Sequence, residues 1–398
     1  MIYSTLLELV LPDWNYWNSE PPVTVKRTVL NSDFTLYTDL ACVVQGVRRC
    51  GKSTLLAQMM QHLELDPNHC FFINFEDPRF SDALDSSLLD SLVKYADDRV
   101  GSSEPRYFFL DEIHEVQDWE KWLRLKLDRP AGDRFVITGS NASLLGGDLG
   151  TALTGRHISV ELFPFSFPEF ASLFPDADIK MFLDRGGFPR PLMMESGAAL
   201  LRQYFTDIIE RDVRRHVAAR SSLTLTQLVR AVYESCGSEL SVRSLARQLD
   251  ISPDTVSTYL DATQRAYLIL ACPYFSFSER KRAVRNRKFY PVDNGLRDAV
   301  VTRTGKDLGK RLETAVYHCL RNRYESVYYW RGQGEVDFVV QTGSEITPVQ
   351  VSWDGIKDRH KQALGEFYTE HKQAKDALFI TSANALDFFN ASISFEAL

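Results

Sequence analysis

The stretch that decides the fold is GVRRCGKS, residues 46–53. It fits the pattern G-x-x-x-x-G-K-[ST] at every fixed position. The apolar run ACVVQG leads into it, and the helix-forming run STLLAQMMQHLEL begins at its last residue. The glycines permit a loop whose backbone N–H groups converge on phosphate oxygens, and the positive end of the following helix holds the anion. Because both flanks fit, a phosphate-binding loop is favoured over a chance glycine-rich turn.

Two side chains at the end of this loop carry most of its predicted chemistry. Lys52 is expected to neutralise charge on the β- and γ-phosphates of ATP. The hydroxyl of Ser53 suits Mg²⁺, and Thr54 lies beside it. The residues predicted to bind the nucleotide are Gly46, Arg48, Arg49, Cys50, Gly51, Lys52, Ser53 and Thr54. The expected ligand is therefore ATP with Mg²⁺.

A later apolar run ends abruptly in two acids. Residues 107–110, YFFL, are followed by Asp111 and Glu112. In a parallel sheet this end of the strand lies at the same edge as the phosphate-binding loop. Asp111 is then placed to hold the hydration shell of Mg²⁺, and Glu112 to orient or deprotonate the attacking water. An isolated acid pair would fit a solvated strand end or a helix cap, but the loop at 46–53 favours the catalytic interpretation.

The next apolar run, FVIT at 135–138, ends in Gly139, Ser140 and Asn141. Ser140 or Asn141 is placed to hydrogen-bond the γ-phosphate or the water, and Asn141 is the catalytic candidate of the two. Turn chemistry explains the sequence Gly-Ser-Asn equally well. Both interpretations stay open at this point.

The spacing of apolar runs indicates the fold class. Runs at 41–46, 70–75, 106–112, 134–140 and 158–165 are predicted to be buried parallel strands. Amphipathic stretches such as WEKWLRLKLDR lie between them. This alternation predicts a layered α/β domain with right-handed crossovers. The spacing is helical from about 202 to 272, and strand-like runs return from 289 onward.

Composition and charge narrow the class of partner. The 398 residues are 44% hydrophobic and 25% charged, and no stretch approaches the ~18 apolar residues that a membrane span needs. Because the N-terminus also lacks a basic leader, we expect a cytoplasmic protein without membrane contact. The six cysteines show no metal-binding or disulfide spacing. The net charge is −7, but residues 202–290 carry 15 Lys and Arg against 9 Asp and Glu, a local charge of +6.

Four short motifs give the chain a family resemblance. They are the pair Arg48-Arg49, LDEI at 110–113, LTGR at 153–156 and GGFP at 186–189. With these motifs the sequence resembles a little-characterised prokaryotic branch of the AAA-superfamily P-loop ATPases. The resemblance implies that Ser140 or Asn141 senses the γ-phosphate. It also implies that a later arginine reaches a neighbour's nucleotide, with Arg156 as the candidate, Arg185 as the reserve and a surface arginine as the alternative.

Residues 240–260 predict two helices joined by a tight turn, with Ser252 and Pro253 at the start of the second. This pattern resembles a winged helix-turn-helix. The resemblance implies groove-facing positions at Asp254, Thr255, Ser257 and Thr258. The run RKRAVRNRK, residues 280–288, would then form a basic wing against phosphate. Contact with DNA or RNA through residues 240–290 is the hypothesis, and a protein-docking lid is the alternative.

The C-terminal part resembles a restriction-endonuclease-like fold. Its order is Glu313 in a helical stretch, then Glu335 and Asp337 entering one strand, then PVQVS at 348–352 in the next. The active version of that fold ends in E-x-K, where carboxylates bind Mg²⁺ and the lysine stabilises charge on the attacked phosphate. Gln350 and Ser352 stand at those positions here. Because a neutral amide is a poor substitute for a carboxylate at Mg²⁺, we expect no nuclease activity.

The sequence therefore predicts three parts. A P-loop ATPase core with an N-terminal extension spans 1–185, a helical and winged-helix module spans 186–290, and a nuclease-like α/β domain spans 291–398. We expect Mg-dependent ATP hydrolysis by a switch or remodeller that acts on nucleic acid or on a bound protein, in a homo-oligomer or with a protein partner. The alternatives are a regulatory or DNA-binding protein with little turnover and an ATP-gated nuclease.

Overall fold

The computed structural model describes residues 2–22, 24–81, 83–101, 104–139, 153–214, 217, 222–302 and 307–391. The chain divides into two compact units, Met1–Phe163 and Pro164–Leu398. The predicted division into three parts, with boundaries near 185 and 290, stays a prediction. Within the described residues, every helix is too short or too polar to span a lipid bilayer.

The first unit is built on a parallel sheet of five strands. Its strands are β1 Ala41–Gly46, β2 Cys70–Asn74, β3 Tyr107–Asp111, β4 Arg134–Thr138 and β5 His157–Leu162. Their order across the sheet is β2-β3-β4-β1-β5, and every neighbouring pair is parallel. The predicted α/β class of this core and its five strands are confirmed, because continuous apolar runs of this length suit strands that are covered on both faces.

Among the described residues of this unit, four α-helices accompany these strands. They are α1 Ile2–Trp14, α2 Lys52–His62, α3 Ser86–Val100 and α4 Trp119–Asp128. Helix α1 is part of the core, since Leu7, Val10 and Leu11 are fully buried there. The side chain of Asn15, just after α1, bonds both the N–H and the C=O of Phe72 on β2. The N-terminal segment is thereby fixed to the sheet.

The first half of the second unit is mainly helical. Its helices are α5 Phe167–Leu173, α6 Ile179–Arg185, α7 Pro189–Leu192, α8 Gly197–Ile208, α9 Ser222–Glu234, α10 Val242–Leu249, α11 Pro253–Arg265 and α12 Glu279–Val284. Three short strands, β6 Glu239–Leu240, β7 Ile269–Cys272 and β8 Arg287–Pro291, form an antiparallel sheet in the order β6-β8-β7. The Ser252 hydroxyl accepts the N–H of Thr255, so α11 begins where the sequence predicts.

The second half of this unit has a sheet of its own. Its strands are β9 Ser326–Arg331, β10 Glu335–Thr342, β11 Glu345–Ser352 and β12 Leu378–Thr381. The order is β12-β11-β10-β9, with β12 parallel to β11 and the other pairs antiparallel. The helices are α13 Asn294–Val300, α14 Leu308–Arg323, α15 Asp358–Glu370 and α16 Ala385–Asn390.

The GGFP motif has a packing role in the second unit. A Cβ on Gly187 would lie 2.3 Å from the carbonyl oxygen of Phe165, and one on Gly186 would lie 2.4 Å from the carboxylate of Asp293. That carboxylate accepts the N–H of Gly187 at 2.6 Å and the N–H of Leu296 at 2.7 Å. Only glycine allows this close approach, and the buried Asp293 joins the motif to the start of α13.

Candidate nucleotide-binding site

The loop between β1 and α2 has the backbone that its sequence predicts. A Cβ on Gly46 would lie 2.1 Å from the carbonyl oxygen of Leu162, so only glycine fits at the end of β1. Gly51 has φ +103°, a value that glycine adopts readily. Arg49 also has a positive φ, 72°, which is unfavourable for a residue with a Cβ. The loop therefore stores local strain immediately before α2.

The side chains of the loop divide into inward and outward groups. Lys52 is buried, and its Nζ donates to the carbonyl oxygen of Gly46 at 3.2 Å. The thiol of Cys50 is buried, and burial raises its pKa, although the charges of Lys52 and Arg27 oppose that rise. Arg48 forms an ion pair with Glu76 at 3.3 Å. Ser53 and Thr54 are exposed at the first turn of α2.

Arg27 stabilises this loop through hydrogen bonds to backbone carbonyl groups. Its side chain is 5% exposed, and its guanidinium donates to the carbonyl oxygen of Cys50 at 3.0 Å and to that of Phe163 at 2.5 Å. Its backbone N–H donates to the side chain of Gln58 on α2. Charged hydrogen bonds of this kind are stronger than neutral ones, so the loop is held against both the helix and the last residue of the unit.

Asp111 is the centre of a hydrogen-bond network at the carboxyl edge of the sheet. Its carboxylate accepts the hydroxyl of Ser53 at 2.7 Å, the hydroxyl of Thr138 at 2.5 Å and the amide of Asn74 at 3.0 Å. These contacts join the ends of β2, β3 and β4 to the start of α2. The predicted meeting of the loop with the acid pair is observed in the structure.

The electrostatics of this network favour a cation. Burial and the charge of Glu112 raise the pKa of Asp111 to about 6, although the hydroxyl groups of Thr138 and Ser53 and the charge of Lys52 lower it. A buried carboxylate of this kind is stabilised in its charged form by a positive ion. The carboxylate of Asp111 and the hydroxyl of Ser53 are hard oxygen ligands of the type that Mg²⁺ prefers.

Glu112 has an unusual backbone and an unsatisfied carboxylate oxygen. Its φ is 55°, and its N–H donates to the hydroxyl of Thr138 at 3.0 Å. Its Oε2 is buried and makes no hydrogen bond within the described residues. Nδ1 of His114 lies 3.3 Å from that oxygen. A buried carboxylate oxygen that has no hydrogen-bond donor among the described residues suits a group that receives a proton from a bound molecule.

Two residues of the network escaped the sequence analysis. Thr138 bonds both Asp111 and the backbone of Glu112, and Asn74 bonds Asp111. Each is a polar residue that ends a buried strand. That signal was available in the sequence, because the carboxyl ends of parallel strands share one edge of the sheet. What the sequence lacked was the strand order, which places β4 between β1 and β3.

The remaining residues predicted for this site are Ser140, Asn141, Arg156 and Arg185. Ser140 and Asn141 lie outside the described residues. Arg156 donates to Asp128 at 2.5 Å, and its backbone C=O accepts the N–H of Ala41 at the start of β1. A six-residue strand spans roughly 20 Å, so Arg156 lies at the edge of the sheet opposite its own loop. Arg185 belongs to the second unit, where it donates to the carbonyl oxygen of Leu192.

The basic run at 280–288 differs from the predicted wing. Residues 279–284 form helix α12, and Arg282 bonds both Glu279 and the hydroxyl of Tyr328. The prediction that Lys288 belongs to an exposed basic wing is wrong, because its side chain is fully buried on β8. Its ammonium lies against the carboxylates of Glu335 and Glu313. Arg280, Lys281, Arg285 and Arg287 are exposed.

The acids named in the C-terminal part lie together. Lys288 Nζ is 2.5 Å from Glu335 and 3.9 Å from Glu313. Asp337 accepts the amide of Gln350 at 2.5 Å. Ser352 is the last residue of β11. Among the described residues, no group of three or more His, Cys, Asp or Glu is arranged to hold a metal ion.

The parallel sheet, the strand-to-helix loop and the Ser53–Asp111 contact are features of a P-loop domain. The family model described as AAA domain matches residues 38–171, which include all of these features. Residues 38–171 are therefore similar to an AAA domain. Two further models, each described as a domain of unknown function, match residues 176–307 and 308–396.

Relatives with the same extent occur in a bacterium and an archaeon. An uncharacterised protein of Haemophilus influenzae is 29% identical over 366 residues, covering 84% of this chain and 91% of that protein. An uncharacterised protein of Methanocaldococcus jannaschii is 29% identical over 386 residues, covering 89% and 83%. The solved structure of Cdc6p from Pyrobaculum aerophilum aligns with 58% of this chain and 80% of its own, at 14% identity and a TM-score of 0.28.

Proposed function

We propose that this protein binds Mg-ATP at residues 46–54 and hydrolyses it. The observation that carries the proposal is the network in which Asp111 joins Ser53 and Thr138, while Glu112, the next residue, keeps a buried oxygen that has no donor in the part of the chain that the structure describes. A phosphate loop alone would support binding. The acid pair beside it supports hydrolysis.

Each residue has a distinct task in this proposal. The loop N–H groups and Lys52 hold the β- and γ-phosphates, with Gly46 and Gly51 allowing close approach. Ser53 and Asp111 would hold Mg²⁺, which when bound neutralises charge that develops on the phosphates. Glu112 takes the proton of the attacking water or orients it for in-line attack. Thr138 fixes both acids, because its hydroxyl donates to Asp111 and accepts the N–H of Glu112.

Replacement of Glu112 by Gln tests the proposal. Glu112→Gln keeps the shape of the side chain but removes the base, so we expect nucleotide affinity within a few-fold of the wild type and turnover reduced at least 100-fold. Glu115→Gln is the matched control, because Glu115 is an exposed acid in the same turn. The proposal fails if Glu112→Gln hydrolyses ATP at the wild-type rate, or if the wild-type protein binds no nucleotide.

A wider role as an ATP-driven switch or remodeller extends this proposal. A homo-oligomer in which Arg156 reaches a neighbour's nucleotide is consistent with the position of Arg156 away from its own loop. We expect Arg156→Ala to lower turnover without changing monomer stability, whereas Asp128→Asn, which removes the partner of Arg156 in the same chain, leaves turnover intact. Equal effects of the two substitutions would indicate a structural ion pair.

Contact with nucleic acid is a second candidate role for the middle of the chain. Helices α9, α10 and α11 with the sheet β6-β8-β7 support the winged-helix proposal. The exposed face of α11 includes Asp254 and Asp261, which repel phosphate. We therefore assign the contact to the exposed cations around α12, and the exposed Phe277 beside them is suited to stacking on a base.

Salt dependence tests this second role. We expect replacement of Arg280, Lys281, Arg285 and Arg287 by Ser to weaken single-stranded DNA or RNA binding and to flatten its dependence on salt. Binding that keeps its full salt dependence in this variant would assign the contact elsewhere. Measurement of ATP turnover with and without DNA, RNA and protein fractions then separates a nucleic-acid-driven ATPase from a regulatory protein with little turnover.

A further inference from the structure

A lysine lies at the centre of the acidic cluster of the second unit. The side chain of Lys288 is fully buried, with its Nζ 2.5 Å from Glu335 and 3.9 Å from Glu313. The ring of Tyr329 lies beside the ammonium, with its centroid 5.2 Å away. Burial lowers the pKa of Lys288, but Glu313, Glu335 and Asp337 raise it above its usual value. Lys288 is therefore a charged ammonium.

The acids of the cluster have hydrogen-bond partners within the chain. Arg331 bonds the second oxygen of Glu335 at 2.9 Å, and the hydroxyl of Tyr290 donates to Glu313 at 2.7 Å. Burial and the charge of Glu313 raise the pKa of Asp337 to about 8, although the charge of Lys288 and the N–H of Val351 lower it. The acidic neighbours thus raise the pKa of Asp337, and the two cations Lys288 and Arg331 both contact Glu335.

Gln350 completes this arrangement. Its amide donates to Asp337 at 2.5 Å, and the N–H of Val351 donates to the same oxygen at 2.8 Å. A glutamate at position 350 would place another negative charge against Asp337 in a buried setting, at a high cost. The neutral amide of Gln350 therefore suits a cluster that already contains the buried Lys288 cation.

Lys288 also joins two sheets. It lies on β8 of the sheet β6-β8-β7, whereas Glu335 and Asp337 lie on β10 of the sheet β12-β11-β10-β9. We propose that the Lys288 ammonium is the resident cation of this cluster, occupying the position that a divalent metal would otherwise take, so that the cluster is a metal-independent ionic joint between the two sheets. A hard divalent cation is the ordinary external partner for converging carboxylates. In this cluster the cation is the ammonium of Lys288 from the same chain.

Replacement of Lys288 by Met in the full-length chain tests the proposal. Lys288→Met removes the charge and keeps the length, so in EDTA and without nucleotide we expect a melting temperature roughly 5–10 °C below the wild type, because buried acids lose their counter-ion. Millimolar Ca²⁺ or Mn²⁺ should raise the melting temperature of this variant by several degrees but leave the wild type unchanged. Adding Glu335→Gln to the Lys288→Met variant should abolish this cation-induced increase in melting temperature. Lys281→Met, an exposed lysine nearby, is the matched control and should show neither effect.

Three results would overturn the proposal. The first is a Lys288→Met protein that melts like the wild type or gains nothing from the cations. The second is Mn²⁺ binding to the wild-type chain that Glu335→Gln removes, measured by calorimetry without nucleotide; this measurement decides the matter even if Lys288→Met does not fold. The third is Mn²⁺-dependent DNA cleavage by the wild type that Lys288→Met abolishes, since Lys288 would then act on a substrate.

Discussion

The two units each bring a buried lysine close to carboxylates, and they do so in opposite ways. In the first unit Lys52 donates to a backbone carbonyl at 3.2 Å and pairs with no carboxylate among the described residues, while Asp111 is held by hydroxyl and amide groups. In the second unit Lys288 bonds the carboxylate of Glu335 directly. The first cluster keeps its positive and negative groups apart, and the second pairs them.

The difference separates a binding site from a structural contact. The bond from Lys52 to a neutral carbonyl is easily exchanged for one to a phosphate oxygen, which carries charge. The Lys288 pair is buried, and breaking it would leave a charge without a partner. A lysine near acids is therefore a ligand-binding group where its own contact is weak, and a structural group where its contact is an ion pair.

Replacement of Lys52 should give the largest functional effect and thereby sharpen this comparison. We expect Lys52→Ala to lower kcat/KM for ATP at least 100-fold, because the charge of the bound phosphates is no longer neutralised. The melting temperature should change by no more than about 2 °C, since only one neutral hydrogen bond is lost. Lys94→Ala, on the exposed face of α3, is the control. A large loss of stability in Lys52→Ala would remove the contrast with Lys288.

Replacement of Thr138 tests whether the network around Asp111 positions the acid pair. We expect Thr138→Val to lower kcat about 10-fold with little change in KM, because the buried N–H of Glu112 loses its acceptor at a cost of about 1–3 kcal/mol. Thr138→Ser should recover most of the activity, because it restores the hydroxyl. If Thr138→Ser is as slow as Thr138→Val, the methyl group matters and the hydrogen bonds do not.

Replacement of Asp293 examines a third buried carboxylate, one completed by backbone N–H groups. Burial raises its pKa to about 6, against the lowering effect of the N–H groups of Gly187 and Leu296. Because the folded-state pKa lies above the unfolded value, its stabilising contribution is greatest below about pH 4 and falls as the pH rises toward 6.

At pH 7 we expect Asp293→Asn to reduce the free energy of unfolding of the second unit by about 1–3 kcal/mol, since the amide can accept only one of the two N–H groups. Chemical denaturation followed by circular dichroism measures this. Asp261→Asn, on the exposed face of α11, should change it by less than about 0.5 kcal/mol. An unchanged stability in Asp293→Asn would mean that the GGFP segment is held by packing alone.

Local sequence was enough for the core of the first unit. The five apolar runs became the five strands, because strand formation depends on residues close in the chain. The loop at 46–53 meets Asp111, 58 residues further along, because the carboxyl ends of parallel strands share one edge of the sheet. Thr138 and Asn74 were missed because their roles depend on which strands are neighbours. Strand order is a property of the whole sheet and leaves no local mark.

The second unit was harder to predict for the same reason. Lys288 belongs to a run of cations, and such a run is normally a solvated surface. Its acids lie at 313, 335 and 337, far along the chain on α14 and β10, and the tertiary fold brings them to Lys288. Gln350, interpreted from the sequence as a loss of a metal ligand, proves to be the hydrogen-bond partner of Asp337.

The position of Arg27 has a consequence for any conformational change in this protein. One guanidinium nitrogen donates to the carbonyl oxygen of Cys50 in the phosphate loop. Another donates to the carbonyl oxygen of Phe163, the last residue of the first unit. Under the proposed function, a shift of the Cys50 carbonyl on ATP binding or phosphate release would alter the geometry of both bonds together. The state of the nucleotide and the end of the first unit would then be linked through the Arg27 side chain.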